Sequence, residues 1–183
     1  MQAVPTAHDA FANATVVHDA EAVRRALDKM AQAITAVVAD KNPVILAVMN
    51  GGAFVATELC RRFEFLYEFD YAHATRYGRD LIGGDIEWRV FPSERLTDRV
   101  VVVVDDILDR GNTLAAILDA IETAGASEVY STVLVRKRLR DGPSRPEVDF
   151  VGLETDDVYL FGCGMDYAGY WRGLPALYGL RGA

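Results

Sequence analysis

Two adjacent carboxylates, Asp105 and Asp106, follow a run of five valines, and a third acid, Asp109, comes three residues after the second. Residues 110–113, with the sequence RGNT, come next, at the start of a predicted helix. A helix start offers unpaired N–H groups and a partial positive charge, and a glycine lets the backbone approach a ligand closely. The segment therefore predicts a phosphate cradle, with carboxylates placed to accept hydrogen bonds from sugar hydroxyls.

An ordinary strand-to-helix turn with aspartate caps is the alternative interpretation of this segment. A lone acidic pair would favour that alternative. Here a long valine strand, two acids, a third acid, a glycine and a threonine follow one another in a fixed order. This combination favours a binding site over a simple turn.

The elements that must position this segment alternate between apolar runs and helical patterns. Apolar residues recur at spacings of three and four in 19–40, which predicts a helix, and the valine run predicts a strand buried on both faces. Strands are predicted at 44–49, 65–74, 86–91, 100–104, 129–135, 150–153 and 159–161, helices at 19–40, 54–63 and 113–123, a turn at 50–52 and a basic loop at 136–146. This order predicts an α/β fold with a mostly parallel central sheet flanked by helices, and ligands bind at the carboxyl ends of such strands.

The composition narrows the class of protein. A length of 183 residues predicts a single domain, 1–183, and a net charge of −8 argues against an extended nucleic-acid surface. Cys60 and Cys163 are far apart in sequence and predict reduced thiols rather than a disulfide framework or a zinc site. The first residues do not resemble a secretory signal, and no apolar run reaches the roughly 18–20 residues that span a bilayer. We therefore expect a cytoplasmic protein without nucleic-acid or membrane partners.

The segment 101–113 (VVVVDDILDRGNT) resembles the signature with which type I phosphoribosyltransferases bind phosphoribosyl pyrophosphate (PRPP). Other segments resemble the hypoxanthine-guanine branch of that family, namely 49–52 (MNGG), 76–78 (RYG), 134–137 (LVRK), 159–167 (YLFGCGMDY) and 170–174 (YWRGL). The resemblance implies the type I phosphoribosyltransferase fold, with a small hood from the chain termini. It also implies Mg²⁺-dependent transfer of the phosphoribosyl group from PRPP to hypoxanthine or guanine, giving IMP or GMP plus pyrophosphate.

The resemblance assigns the matched residues to a catalytic role and to five sets of contacts, which overlap. Asp109 would be the general base that takes the proton from purine N7, Lys137 would hydrogen-bond the 6-oxo group, and Tyr159 would stack on the purine. The implied sets are Asp105, Asp106, Asp109, Arg110, Gly111, Asn112 and Thr113 for PRPP; Asn50, Gly51 and Arg172 for pyrophosphate; Lys137, Tyr159 and Leu160 for the purine; Asp105 and Asp166 for Mg²⁺; and Arg76 and Tyr77 for a lid.

Each implied role has a chemical reason. Displacement at the anomeric carbon develops positive charge on the sugar while an anionic pyrophosphate leaves, so Mg²⁺ and an arginine are natural stabilisers. A cation beside the 6-oxo group discriminates hypoxanthine and guanine from adenine, which carries an amino donor at that position. The glycines around 81–85 predict a lid that shields the developing cation from water.

Several points stay open at this level. Arg136 is an alternative to Lys137 for the purine contact, and Asn50 and Arg76 depart from the lysine and serine of many relatives. Xanthine or a pyrimidine is an alternative acceptor, and an RNA-binding regulator of the same fold is the alternative from another class. The acidic charge argues against the regulator. The resemblance further implies a homodimer or homotetramer.

Overall fold

The computed structural model describes residues 6–76, 86–91, 96–139 and 145–180. Its helices are α1 Ala7–Asn13, α2 Ala20–Val38, α3 Gly51–Cys60 and α4 Asn112–Thr123. Its strands are β1 Thr15–His18, β2 Val44–Val48, β3 Glu68–Arg76, β4 Ile86–Val90, β5 Val100–Leu108, β6 Glu128–Arg138, β7 Phe150–Asp156, β8 Tyr159–Phe161 and β9 Leu177–Leu180.

The central sheet has six strands in the order β4-β3-β2-β5-β6-β7. All of its neighbouring pairs are parallel except β3 with β4. Alternate residues of β5 point to opposite faces, so Val102 and Val104 pack in the core with α2 and α3, while Val101 and Val103 pack in the core with α4. This confirms the predicted α/β architecture and places the carboxyl end of β5 between two helical layers.

A second, smaller sheet forms a hood. It joins β1, β9 and β8 in antiparallel pairs, so it combines segments from near both ends of the described chain. Helix α1 packs against it, with the Phe11 ring edge-on to that of Tyr178 in β9 and ring centroids 5.1 Å apart. Trp171, in the loop between β8 and β9, donates from Nε1 to the Ala7 carbonyl of α1 at 2.7 Å. The hood implied by the family resemblance is therefore confirmed.

The structure differs from the predicted elements where tertiary pairing outweighs local pattern. The sequence did not predict α1, β1 or β9, which are short segments that lie together in the hood. The expected turn at 50–52 is instead the first turn of α3, with Gly51 and Gly52 both buried. Strand β5 runs on through its acidic pair to Leu108, because β6 continues to pair with it there.

The basic segment after Val135 was predicted as a loop, and its first residues are strand instead. Arg136 lies opposite Glu154 and Arg138 lies opposite Asp156 on β7, and each basic residue forms an ion pair with the acid facing it. Cross-strand pairs of opposite charge are favourable, which explains how a charged run completes a strand.

Some predictions concern residues that are not described or only partly described. Tyr77 and the lid segment 81–85 lie outside the described residues, and Arg76 is the last residue of β3.

No helix within the described ranges is long and apolar enough to cross a membrane. Cys60 and Cys163 are free thiols.

Candidate active site

The paired carboxylates lie at the carboxyl end of β5, where burial changes their acidity. Asp106 is buried, and its backbone N–H donates to Asp105 Oδ1 at 2.9 Å. Burial raises the pKa of Asp105 well above its ordinary value, and the charge of Asp106 adds to that rise. Burial also raises the pKa of Asp106, while a hydrogen bond from Asp105 and the charge of Arg172 reduce the rise. A ligand that brings hydroxyl donors or a cation would therefore stabilise the charged forms of both acids.

Two glycines bring other segments into close contact with Asp106. A Cβ on Gly51 would overlap the Asp106 carboxylate. A Cβ on Gly164, whose φ is +107°, would overlap the Gly51 carbonyl and lie 3.0 Å from the Asp106 Cβ. The start of α3, the end of β5 and the loop after β8 are thus interlocked at van der Waals distance. The peptide bond between Met49 and Asn50, just before α3, is cis.

A cavity of about 470 Å³ opens at this edge of the sheet. It includes the amino end of α4, which Gly111 precedes with a left-handed φ of 79°. A helix amino end with exposed backbone donors favours an anion. The structure brings together here all the residues predicted for PRPP and pyrophosphate, namely Asn50, Gly51, Asp105, Asp106, Asp109, Arg110, Gly111, Asn112, Thr113 and Arg172.

A neighbouring cavity of about 210 Å³ contains the three residues predicted for the purine. It is lined by Asp106, Ile107, Asp109, Lys137, Tyr159, Leu160, Met165 and Asp166. Asp106, Ile107, Asp109 and Asp166 also line the larger cavity. The two spaces therefore meet along the end of β5, and Asp109 lies where they join.

The strand geometry at the end of β6 separates Lys137 from its basic neighbours. Successive side chains of a strand point to opposite faces, so Lys137 is directed away from the side of Arg136 and Arg138. The Lys137 ammonium is 3.3 Å from Asp109 Oδ2, whereas Arg136 forms an exposed ion pair with Glu154 on the neighbouring strand β7. The cation that reaches the smaller cavity is accordingly Lys137.

Arg172 and Tyr159 both contact the segment around Asp166. Arg172 donates to the Gly164 carbonyl at 2.6 Å and forms an ion pair of 2.5 Å with Asp166 Oδ1. The Tyr159 hydroxyl donates to the Asp166 carbonyl at 3.1 Å. Burial, with the nearby charge of Asp166, raises the pKa of Tyr159 above its ordinary value. These contacts fix the arginine and the aromatic ring on one shared loop.

The carboxylates of the larger cavity suit a hard cation that completes its coordination with oxygens of the substrate. Asp105 and Asp166 both line the larger cavity, and carboxylate oxygens are the ligands that Mg²⁺ prefers. Among the described residues no three acidic, histidine or cysteine side chains are close enough to hold a metal alone. Mg²⁺ commonly uses one or two carboxylates together with substrate phosphates, so this arrangement fits it. The Asp166 oxygens already accept from Arg172 and from the Gly169 N–H at 2.6 Å, so metal binding would have to share them.

Sequence reasoning missed three residues that shape the site. Arg145 donates to the carbonyls of Asp109 and Lys137, at 3.0 and 2.8 Å, and so links the loop after β5 to the end of β6. It lay within the basic loop 136–146, where nothing distinguished it from solvated charges. Gly164 belongs to the quoted segment YLFGCGMDY, but its close packing appears only in three dimensions. Asp157, 3.1 Å from the Lys137 ammonium, had no sequence signal.

Comparison with known proteins identifies the family of this arrangement. The chain matches the phosphoribosyl transferase domain over residues 13–168. A hypoxanthine phosphoribosyltransferase from Buchnera aphidicola is 33% identical over 138 residues, which cover 74% of this chain and 77% of that protein. A hypoxanthine-guanine-xanthine phosphoribosyltransferase from Tritrichomonas foetus is 25% identical over 162 residues, or 88% of each chain.

Solved structures show the same fold. The crystal structure of a hypoxanthine-guanine phosphoribosyltransferase from Bacillus anthracis covers 90% of this chain and 96% of its own, with a TM-score of 0.81 and 23% identity. A hypoxanthine phosphoribosyltransferase from Staphylococcus aureus covers 93% of this chain and 94% of its own, with a TM-score of 0.86 and 20% identity. Since the domain match spans most of the sequence and the Buchnera relative aligns with three quarters of it, the chain belongs to the type I phosphoribosyltransferase family, in its hypoxanthine-guanine branch.

Proposed function

We propose that the protein transfers the 5-phosphoribosyl group from PRPP to hypoxanthine or guanine in purine salvage, giving IMP or GMP and pyrophosphate. The observation that carries this proposal is the position of Asp109, at the junction of an anion cavity and a smaller cavity that contains Lys137 and Tyr159. A sugar phosphate in the first space and a flat base in the second would meet beside a carboxylate. The names of the Buchnera and Tritrichomonas relatives agree with a purine as acceptor.

The larger cavity would hold PRPP. Residues 110–113 would bind the 5′-phosphate through the amino end of α4, and the carboxylates of Asp105 and Asp106 would accept hydrogen bonds from the ribose hydroxyls. Arg172, with Asn50 and Gly51, would contact the pyrophosphate. The guanidinium of Arg172 supplies positive charge where the leaving group gains negative charge.

In the transfer step, purine N9 forms a bond to the anomeric carbon of the ribose while the bond from that carbon to pyrophosphate breaks. The carboxylate of Asp109 would take the N7 proton, so the base supplies its electron pair to the sugar without becoming a cation. The pyrophosphate keeps the electron pair of the broken bond. Mg²⁺, held by Asp105 and Asp166 together with substrate oxygens, would supply positive charge for the departing pyrophosphate.

Lys137 would select the base through its 6-position. An ammonium can only donate hydrogen bonds, so it pairs with the 6-oxo group of hypoxanthine or guanine and not with the amino group of adenine. The Lys137 side chain is 10% exposed, and an unmatched ammonium in such a place is costly. Tyr159 would stack on the ring, and the Leu160 backbone would contact the purine edge.

We propose in addition that the enzyme acts in the cytoplasm and assembles as a homodimer or homotetramer. The assembly rests on the family resemblance. Light scattering at micromolar concentration is expected to report a dimer or a tetramer, and a monomer across that range would refute the assembly.

The proposed function is tested by offering the enzyme a panel of acceptor bases with PRPP and Mg²⁺ and measuring the release of pyrophosphate. We expect turnover with hypoxanthine and guanine and little or none with adenine or uracil. Xanthine is included because one relative carries it in its name. Turnover of adenine or uracil, with none of hypoxanthine and guanine, would contradict the proposal.

A further inference from the structure

The Lys137 ammonium lies between two carboxylates that differ in position. It is 3.3 Å from Asp109 Oδ2 and 3.1 Å from Asp157 Oδ1. Asp109 lines both cavities, whereas Asp157 lines neither of them. The Lys137 side chain is 10% exposed, whereas those of Asp109 and Asp157 are 49% and 58% exposed. The two acids therefore differ in their place relative to the cavities and not in their exposure.

The proposed function makes conflicting demands on the ion pair of Lys137 with Asp109. A base that enters the smaller cavity needs the ammonium at its 6-oxo group and the Asp109 carboxylate at its N7. The Asp109 oxygen that accepts from the ammonium is not available to take the N7 proton while that hydrogen bond lasts. A base that makes both contacts therefore competes with the ion pair of Lys137 and Asp109.

Opening the pair would leave the largely buried Lys137 ammonium without the Asp109 carboxylate. A charge that loses its partner away from water is strongly destabilised. A carbonyl oxygen of the base replaces a hydrogen bond but not a full negative charge. A second carboxylate that lies outside both cavities would remove that difficulty, because it can stay in contact with Lys137 before and after the base binds.

We propose that Asp157 is a positioning residue whose carboxylate holds the Lys137 ammonium in place when the incoming purine separates Lys137 from Asp109. This inference rests on the proposed function. Asp157 sits in the tight turn between β7 and β8, where the Val158 N–H donates to the Asp156 carbonyl at 2.9 Å. The turn leads directly into Tyr159, so it links the position of the cation to that of the stacking ring.

The neighbouring residue provides a matched control. Asp156 carries the same side chain, ends β7 and forms an ion pair of 2.9 Å with Arg138. That pair is 82% exposed on the acid and 59% on the arginine, and neither residue lines a cavity of the site. Replacing Asp156 by asparagine therefore makes the same chemical change one position away without touching Lys137.

The experiment is steady-state kinetics of Asp157→Asn, with hypoxanthine and PRPP varied separately. We expect the KM for hypoxanthine to rise about three- to tenfold, since the partner acid is exposed and such pairs contribute modestly. The KM for PRPP and the melting temperature should stay close to those of the wild type. Asp157→Glu should restore most of the hypoxanthine affinity, and Asp156→Asn should leave both KM values unchanged.

Two results would overturn the inference. An unchanged KM for hypoxanthine in Asp157→Asn would show that Asp157 does not position the lysine. An equal rise in both KM values, shared by Asp156→Asn, would show that loss of either acid only loosens the turn. A wild-type enzyme that turns over neither hypoxanthine nor guanine would refute the proposed function and this inference with it, and that result is recognised before any variant is made.

Discussion

The two halves of the site are built in different ways. Half of the residues that line the cavity proposed for PRPP come from one continuous segment, 105–113, and close contacts of Gly51 and Gly164 with Asp106 fix its walls. The cavity proposed for the purine collects side chains from three strands and two loops, and its key contact is an ion pair of Lys137. Backbone packing tolerates little change, whereas long side chains can adapt. We therefore expect recognition of the sugar phosphate to be rigid and recognition of the base to be adjustable.

The strongest test of this contrast is Asp109→Asn, because Asp109 lines both cavities. The amide keeps the shape and much of the hydrogen bonding but cannot take the N7 proton. We expect kcat to fall by about 10²–10⁴-fold, with the affinity for PRPP changed by less than roughly tenfold. Pre-steady-state kinetics with a separate PRPP titration checks both values. A near-normal kcat, or a loss caused only by weak PRPP binding, would show that Asp109 positions a ligand instead.

The rigid half is tested by Gly164→Ala. The new Cβ would face both a positive φ of +107° and the Gly51 carbonyl, so we expect the free energy of unfolding to fall by about 2–4 kcal/mol. The KM for PRPP should rise more than the KM for hypoxanthine, because the displaced groups border the larger cavity. Denaturant unfolding and steady-state kinetics provide the two measurements.

Gly169→Ala is the matched control for that substitution. Its φ is +89°, but a Cβ there would meet nothing within 4 Å. It therefore isolates the backbone strain, which costs about 1–2 kcal/mol, from the packing conflict. If both variants lost equal stability and neither changed the KM for PRPP, close packing around Asp106 would not matter for PRPP binding.

The adjustable half is tested by Lys137→Met beside Arg136→Met. Loss of a hydrogen bond from a charged group costs about 1.5–3 kcal/mol, so we expect Lys137→Met to raise the KM for hypoxanthine about 10- to 100-fold. Arg136→Met should change it less than about twofold, because its ion pair with Glu154 is exposed. Isothermal titration and steady-state kinetics would detect the difference. A larger effect from Arg136→Met would show that Arg136, and not Lys137, contacts the purine.

The same contrast explains what the sequence could predict. The role of segment 105–113 could be predicted because a buried strand, its acids and the following helix start are contiguous in the chain. Residues that act together and are neighbours in sequence form a recognisable motif. The family resemblance also supplied Lys137, but the choice between it and Arg136 depends on which face of β6 turns inward. That face is decided by pairing with β7, which no local pattern in a run of basic residues reveals.

Other features depended on contacts between distant segments. The predicted turn at 50–52 is helix because Gly51 and Gly52 pack on β5, and the glycines had suggested a turn for good local reasons. Asp157 and Arg145 act through partners 20 and 36 positions away. Sequence patterns extend over a few residues, so such partnerships appear only once the sheet is assembled.

The hood has a consequence for the order in which the molecule folds. Its sheet joins β1 to β9, and Thr15 Oγ1 donates to the Gly179 carbonyl across 164 positions. Closing so long a loop is entropically unfavourable until other contacts have formed, so we expect the hood to assemble after the central sheet. Tyr159 and Leu160 belong to β8 within the hood. A folding intermediate with a complete central sheet would therefore have the helix start proposed for the 5′-phosphate in place before it could accept a base.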